Sequence, residues 1–207
     1  MKILALELSS ARGSIAFHGV DGESFSRSFA NDRKHSGLFF ENLQSALQAH
    51  GNPDRIVVGL GPGSYAGTRI AIATAIGLEA VSKAQLVGLP SLCGMETDEK
   101  DYWVIGDARR QTFFFAHVRD RRCISGPELC TEAELAERLQ AISLPVFSSE
   151  ALPAFTGAEI GYPSATVLVE IAAAGSDQIV LAPLEPIYLR APHITYPTAP
   201  QNLTALT

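Results

Sequence analysis

The residues best placed to do chemistry lie in one stretch, Gly59-Leu-Gly-Pro-Gly-Ser-Tyr-Ala-Gly-Thr-Arg-Ile70, where a glycine-rich turn runs straight into a helix. Gly61 and Gly63 permit φ > 0, Pro62 fixes its own φ and removes a donor, and Ser64 can cap the helix by accepting from a free N–H. A helix N-terminus behind such a turn presents backbone donors to anions, so a phosphate site is physically open here. The residue types do not demand one. The Gly-Lys-Ser/Thr of a P-loop is missing, and the third glycine, Gly67, falls one residue late for G-x-G-x-x-G. A tight strand-to-helix turn reads equally well. Glu7, Ser9 and Ser10 end the first apolar run and are groups of the kind that hold a metal and phosphates. The competing reading of Glu7 is a strand-end carboxylate accepting local bonds.

Other chemistries are disfavoured by spacing. Two histidines at i and i+4 would share a helix face and grip one metal ion, but His35 is followed by Phe39, and His18, His50, His117 and His193 have no companions at ligand spacing. Ser64 is immediately preceded by Gly63, so it is not in a G-x-S-x-G elbow, and no Ser, His and Asp set declares itself. The expectation is a chain with no catalytic residues and no metal of its own. Cys93, Cys123 and Cys130 are odd in number and lack ligand or redox spacing, which reads as ordinary reduced thiols.

The helix behind the turn, Ser64 to Lys83, carries more information. At about 100° per residue, Ala66, Ile70, Ala73, Gly77 and Ala80 fall within roughly 40° of one face, all small but Ile70. Leu78, Ala71 and Gly67 form a second apolar arc, and Thr68, Arg69, Glu79 and Lys83 a narrow polar one. A helix apolar over most of its circumference needs partners on several sides. Either it is sandwiched inside its own domain, or the small-residue face receives a helix from another subunit.

With 207 residues, 46% of them apolar, the chain suits one large domain or two small ones. Net charge is −6 and the only basic cluster is Arg119, Arg121 and Arg122, less positive surface than direct grip on nucleic acid requires. No apolar run approaches a bilayer span and no signal peptide is evident, so a cytoplasmic protein with no membrane partner is expected.

Three short strands, near Lys2–Leu8, Ser14–His18 and Glu23–Phe29, precede a helix from about His35 to His50 that ends at Gly51. Arg55–Leu60, the central helix and Gln85–Leu89 complete a βββαβαβ order, that of a ribonuclease-H-like half. The second half repeats it imperfectly. It has a hairpin from Tyr102 to Val118 around Asp107-Ala-Arg-Arg110, a strand in Arg122–Leu129, and a helix from Thr131 with Glu134 in capping-box position. Pro145–Phe147, a helix from Ala165 to Ala174 and an extended Pro186–Arg190 follow. The expected division is 1–95, 96–190 and a flexible tail, 191–207.

The long central motif, with Leu6-Glu-Leu-Ser-Ser10, His35-Ser36, Asp107-Ala-Arg-Arg110 and Ile187-Tyr-Leu-Arg190, resembles the TsaB (YeaZ) family across nearly the whole chain. The resemblance implies an α/β fold of two ribonuclease-H-like domains of the actin-like, Hsp70-like ATPase superfamily, the second reduced. It implies a non-catalytic partner of TsaD in forming N6-threonylcarbamoyladenosine at position 37 of tRNAs reading ANN codons. A TsaE-like ATPase would be a further partner, the chain would form a homodimer when alone, and tRNA would be met only through the complex. The isolated chain would hold no cofactor, with ATP or ADP and magnesium possible at the partner interface. Glu7 stands where the superfamily usually has Asp, and Leu8 where the TsaB pattern usually has Thr. Both departures count against nucleotide binding through Glu7, Ser9, Ser10, Gly61, Gly63 and Ser64, the rival reading as an actin-like ATPase. The expected partner interface is His35, Phe39, Phe40, Leu43, Ala66, Arg69, Ile70, Ala73 and Gly77.

Overall fold

The computed structural model describes residues 1–31 and 37–190. Short apolar runs separated by turn residues become three meandering strands, Ile3–Glu7 (β1), Arg12–His18 (β2) and Ser24–Ala30 (β3). Gly37–His50 (α1), Arg55–Gly59 (β4), Tyr65–Ser82 (α2) and Gln85–Leu89 (β5) follow as crossovers. The second half contributes Asp101–Asp107 (β6), Thr112–Arg119 (β7), Arg122–Thr131 (β8), Glu132–Gln140 (α3), Val146–Ser148 (β9) and Glu159–Ile160 (β10). Ala165–Ala174 (α4) and Val180–Leu181 (β11) complete the described elements. The fold class is the expected one, α/β with two mixed sheets.

The first sheet has the order β11-β5-β4-β1-β2-β3. β4 runs parallel to β1 and β5, and all three are buried nearly throughout, as unbroken apolar runs require. One face packs against α1 and α2 through Leu4, Leu6, Phe39, Leu43, Ile56, Ala71 and Ile72. The other face, with Ile3, Ala5, Val57, Val87 and Leu89, is covered by α4 through Val167, Leu168 and Ile171. Each of the larger side chains among these stabilises the fold by about 1.5–3 kcal/mol on burial. The second sheet, β10-β9-β6-β7-β8, carries α3 on one face with Leu135 at its centre.

Local signals predict several boundaries well. Ser64 caps α2 by accepting from Gly67 N–H, Thr131 and Glu134 form the capping box of α3, and α4 ends at Gly175 in the left-handed region. α4 and β11 return to the first sheet, so the segment 96–190 contributes to both sheets. Pro186–Arg190 is irregular and joins neither sheet. Thr68 faces the core, 2% exposed, instead of lying on a polar arc. His35 and the tail 191–207 lie outside the described residues.

Candidate functional site

The end of β1, the turn into α2 and the β6–β7 hairpin line a cleft of about 590 Å³, with residues 186–190 running along it. Its first-sheet side is Ser9, Ser10, Asn31 and the stretch from Pro62 to Tyr65, and its second-sheet side includes Asp107, Arg109, Phe114 and Glu150.

Gly63 and Gly67 let the chain at Leu8 and Ser9 lie directly on the glycine turn. A Cβ on Gly63 would stand 2.1 Å from Ser9 O, and one on Gly67 2.0 Å from Leu8 O. The same closeness consumes donors. Ser64 N–H bonds Ser9 O at 2.6 Å, Gly67 N–H bonds Ser64 Oγ at 3.2 Å, and Gly61 N–H bonds Ser91 Oγ at 2.9 Å. Three donors that a phosphate would need are thus engaged inside the protein.

Glu7 is fully buried and does not line the cleft. Its Oε1 accepts from Ser9 N–H at 2.6 Å, while Oε2 has no partner and lies where only a glycine at 59 leaves room, 1.7 Å from the site of a Cβ. Burial pushes this carboxyl above its ordinary 4.5, against the opposing pull of Ser9 and Ser91. A carboxyl biased toward its neutral form, and sealed from the cleft, is a poor magnesium ligand. Across the cleft Asp107 is already occupied by Arg109, whose backbone N–H and Nη1 reach its two oxygens at 2.6 and 2.8 Å. Among the described residues no group of three or more His, Cys, Asp or Glu is arranged to hold a metal. These residues do not fit a magnesium–nucleotide in the isolated chain.

The hairpin turn itself is strained. Arg109, Arg110 and Gln111 all have positive φ, +66°, +55° and +59°. Each non-glycine residue in that region costs about 1–2 kcal/mol, and such turns persist only where neighbours hold them. Arg190 does so by donating to Arg109 O at 3.3 Å and to Thr112 Oγ1.

The small-residue face of α2 is open. Ala66, Arg69, Ile70, Ala73, Gly77 and Ala80 are exposed, as are Ile76 and, at 79%, Val81, while the opposite face is in the core. Gly77 has nothing within 4 Å of where a Cβ would sit. On α1, Phe40 is 52% exposed beside a shallow apolar groove of about 360 Å³ lined with Leu43 and Leu47. Phe39 and Leu43, expected at the same interface, are only 3% and 6% exposed and belong mainly to the core beneath. No helix among the described residues is long and apolar enough to cross a membrane.

Comparison with known proteins follows the same lines. A family model described as TsaD: tRNA N6-adenosine threonylcarbamoyltransferase matches residues 30–141, more than half of the chain. The chain belongs to this family. An uncharacterized protein of Mycobacterium leprae (strain TN) is 30% identical over 205 residues; they cover 92% of this chain and 55% of that protein, so the chain spans about half its length. A Pseudomonas aeruginosa structure described as similar to peptidase YEAZ superposes with TM-score 0.73 at 22% identity, covering 91% of this chain and 99% of its own. YeaZ from Pseudomonas aeruginosa gives TM-score 0.72 at 20% identity, covering 91% and 100%. Both show a shared fold, and the TsaB (YeaZ) resemblance is borne out.

Sequence reasoning missed Asn31, Ser91, Glu150 and Tyr188 as neighbours of the cleft. Asn31 ties Leu8 O and Ser10 O together, and Ser91 both donates its N–H to Gly61 O and receives Gly61 N–H. For Ser91 the available signal was a polar residue two positions after a buried strand, in Leu89-Pro-Ser91.

Proposed function

We propose that this chain is a non-catalytic partner of a TsaD-type threonylcarbamoyltransferase, supporting formation of N6-threonylcarbamoyladenosine at position 37 of tRNAs reading ANN codons. The observation that carries the reading is a central helix apolar on two opposite faces with only one covered: Ile72 and Ala75 lie in the core, while Ile70, Ile76 and Val81 face outward around Ala73 and Gly77. Small residues let another helix approach closely, and large exposed ones such as Phe40 supply the apolar area that association requires. The engaged donors of the glycine turn and the sealed Glu7 favour a role through association over chemistry of its own. The partner's active site would be completed by preferential binding to its competent state. The same face would pair two copies when the partner is absent, and a TsaE-like ATPase and tRNA would meet this chain in the assembled complex, where a nucleotide could sit at the shared interface.

The test is to mix the purified chain with the TsaD-type protein of the same organism, follow mass by light scattering, and assay threonylcarbamoyl transfer with and without it. A heterodimer whose activity depends on this chain is expected. Absence of a complex, together with nucleotide turnover by the isolated chain, would move the actin-like ATPase reading to the front.

A further inference from the structure

Residues 184–190 are irregular yet pack into both halves of the molecule. Leu184 and Ile187 lie against the core shared by the first sheet, α1 and α2, and Leu189 against the core of the second sheet. Ile187 N–H bonds Leu60 O in the glycine turn at 2.8 Å. Three residues farther on, Arg190 bonds Arg109 O and Thr112 Oγ1, the two flanks of the strained hairpin turn. Between these anchors the Tyr188 ring meets Tyr65, in the first turn of α2, with centroids 5.7 Å apart. Tyr65 in turn carries the Arg69 guanidinium 4.7 Å above its ring and receives a bond from Arg69 Nη1. Contacts therefore run Arg69–Tyr65–Tyr188, and two residues along the same segment Arg190 reaches Arg109, so the segment joins the open face of α2 to the far side of the cleft.

We infer that residues 184–190 are a latch across the cleft, which couples the open face of α2 to the β6–β7 hairpin. With Tyr188 and Arg190 seated, the strained turn is held and the two halves keep their spacing. With them released, the turn relaxes and the cleft opens. A partner that seats over Arg69 has differential contact with the two states through Tyr65, which is what coupling requires. That last step rests on the proposed docking role; the latch itself does not.

The test is amide hydrogen exchange on the full chain, read at Ala108, Thr112 and Ile187, whose N–H groups bond Thr112 O, Arg109 O and Leu60 O. Tyr188→Ala and Arg190→Ala should each speed exchange at these amides at least tenfold, while Leu168 in α4 and the thermal midpoint stay as in wild type. Tyr188→Phe, which keeps the ring, should behave as wild type. Unchanged exchange in both alanine variants overturns the latch. The TsaD-type protein is then added and mass read by light scattering. If a complex forms, altered exchange at the three amides supports the coupling and unaltered exchange overturns it while docking stands. If none forms, the docking reading and the coupling both fail, and the latch stands or falls on the isolated chain.

Discussion

Two glycines of α2 should respond in opposite senses to the same substitution. Gly77 sits in the helix interior with open space where a Cβ would go. Gly77→Ala therefore adds no clash and removes glycine's excess chain entropy, about 0.5–1 kcal/mol in favour of the monomer. In a chain of this length that raises Tm by about 1–4 °C. If the face is a docking surface, the added methyl holds the incoming helix off, so complex formation weakens while the monomer gains stability; Gly77→Phe should abolish it with the fold intact. Gly67 is the internal control. Its Cβ would meet Leu8 O at 2.0 Å, a backbone atom with nowhere to retreat, and Gly67→Ala should cost about 3 kcal/mol or more. Thermal unfolding and light scattering with the TsaD-type protein read both effects. A lower Tm for Gly77→Ala would refute the description of the monomer, and an unchanged complex with Gly77→Phe would refute the assigned face.

Glu7→Gln should flatten part of the pH profile of stability. Because burial raises the carboxyl's folded pKa, its contribution is fully present below the ordinary 4.5 and is lost as pH climbs through the raised value, so wild type should fall relative to the variant over that interval. Thermal midpoints that run parallel from pH 4 to 8 would contradict this. Thirdly, Thr131→Ala removes the side-chain half of the α3 capping box, the bond from Glu134 N–H, while the residue-131 N–H can still donate to Glu134; it should lower stability by about 1 kcal/mol in denaturant unfolding, with no effect on partner binding. Finally, a thiol reagent at neutral pH should modify half-exposed Cys123 first. Cys93, its thiol pushed up to about 12 by burial, and buried Cys130 should react only on unfolding; faster labelling of Cys93 by mass spectrometry would argue against its burial.

What was legible in the sequence was mostly local. Ser64, Thr131 with Glu134, and Gly175 each act on a backbone group within a few residues, so their roles are written in spacing alone. The small-residue face of α2 was legible for the same reason. What was not legible depended on neighbours distant in sequence. Periodicity groups Phe39 and Leu43 with the apolar face of α1 but does not say that β-strand side chains already cover them, leaving Phe40 outside. Nor does it say that α4, some 150 residues on, seals the far side of the strands that open the chain. The local bond expected of Glu7 at its strand end is there, from Ser9 N–H, but spacing does not say that Gly59 and Ser91 close over the carboxyl. The segment 184–190 has no period to read, because each of its anchors is a different interaction with a different element.

The placement of α4 sets an order of events during synthesis. The strands Ile3–Glu7, Arg55–Gly59 and Gln85–Leu89 leave the ribosome early, but the helix that covers one of their faces ends only at Ala174, and the edge strand at Leu181. Until then Ile3, Val57, Val87 and Leu89 have no cover on that side. Although domains generally mature from the N-terminus as they are made, here the half that begins first finishes last. A nascent chain stalled before α4 would carry a bare apolar sheet face, making it a natural client for chaperones, and a fragment ending near residue 95 would be sticky and not a free-standing module.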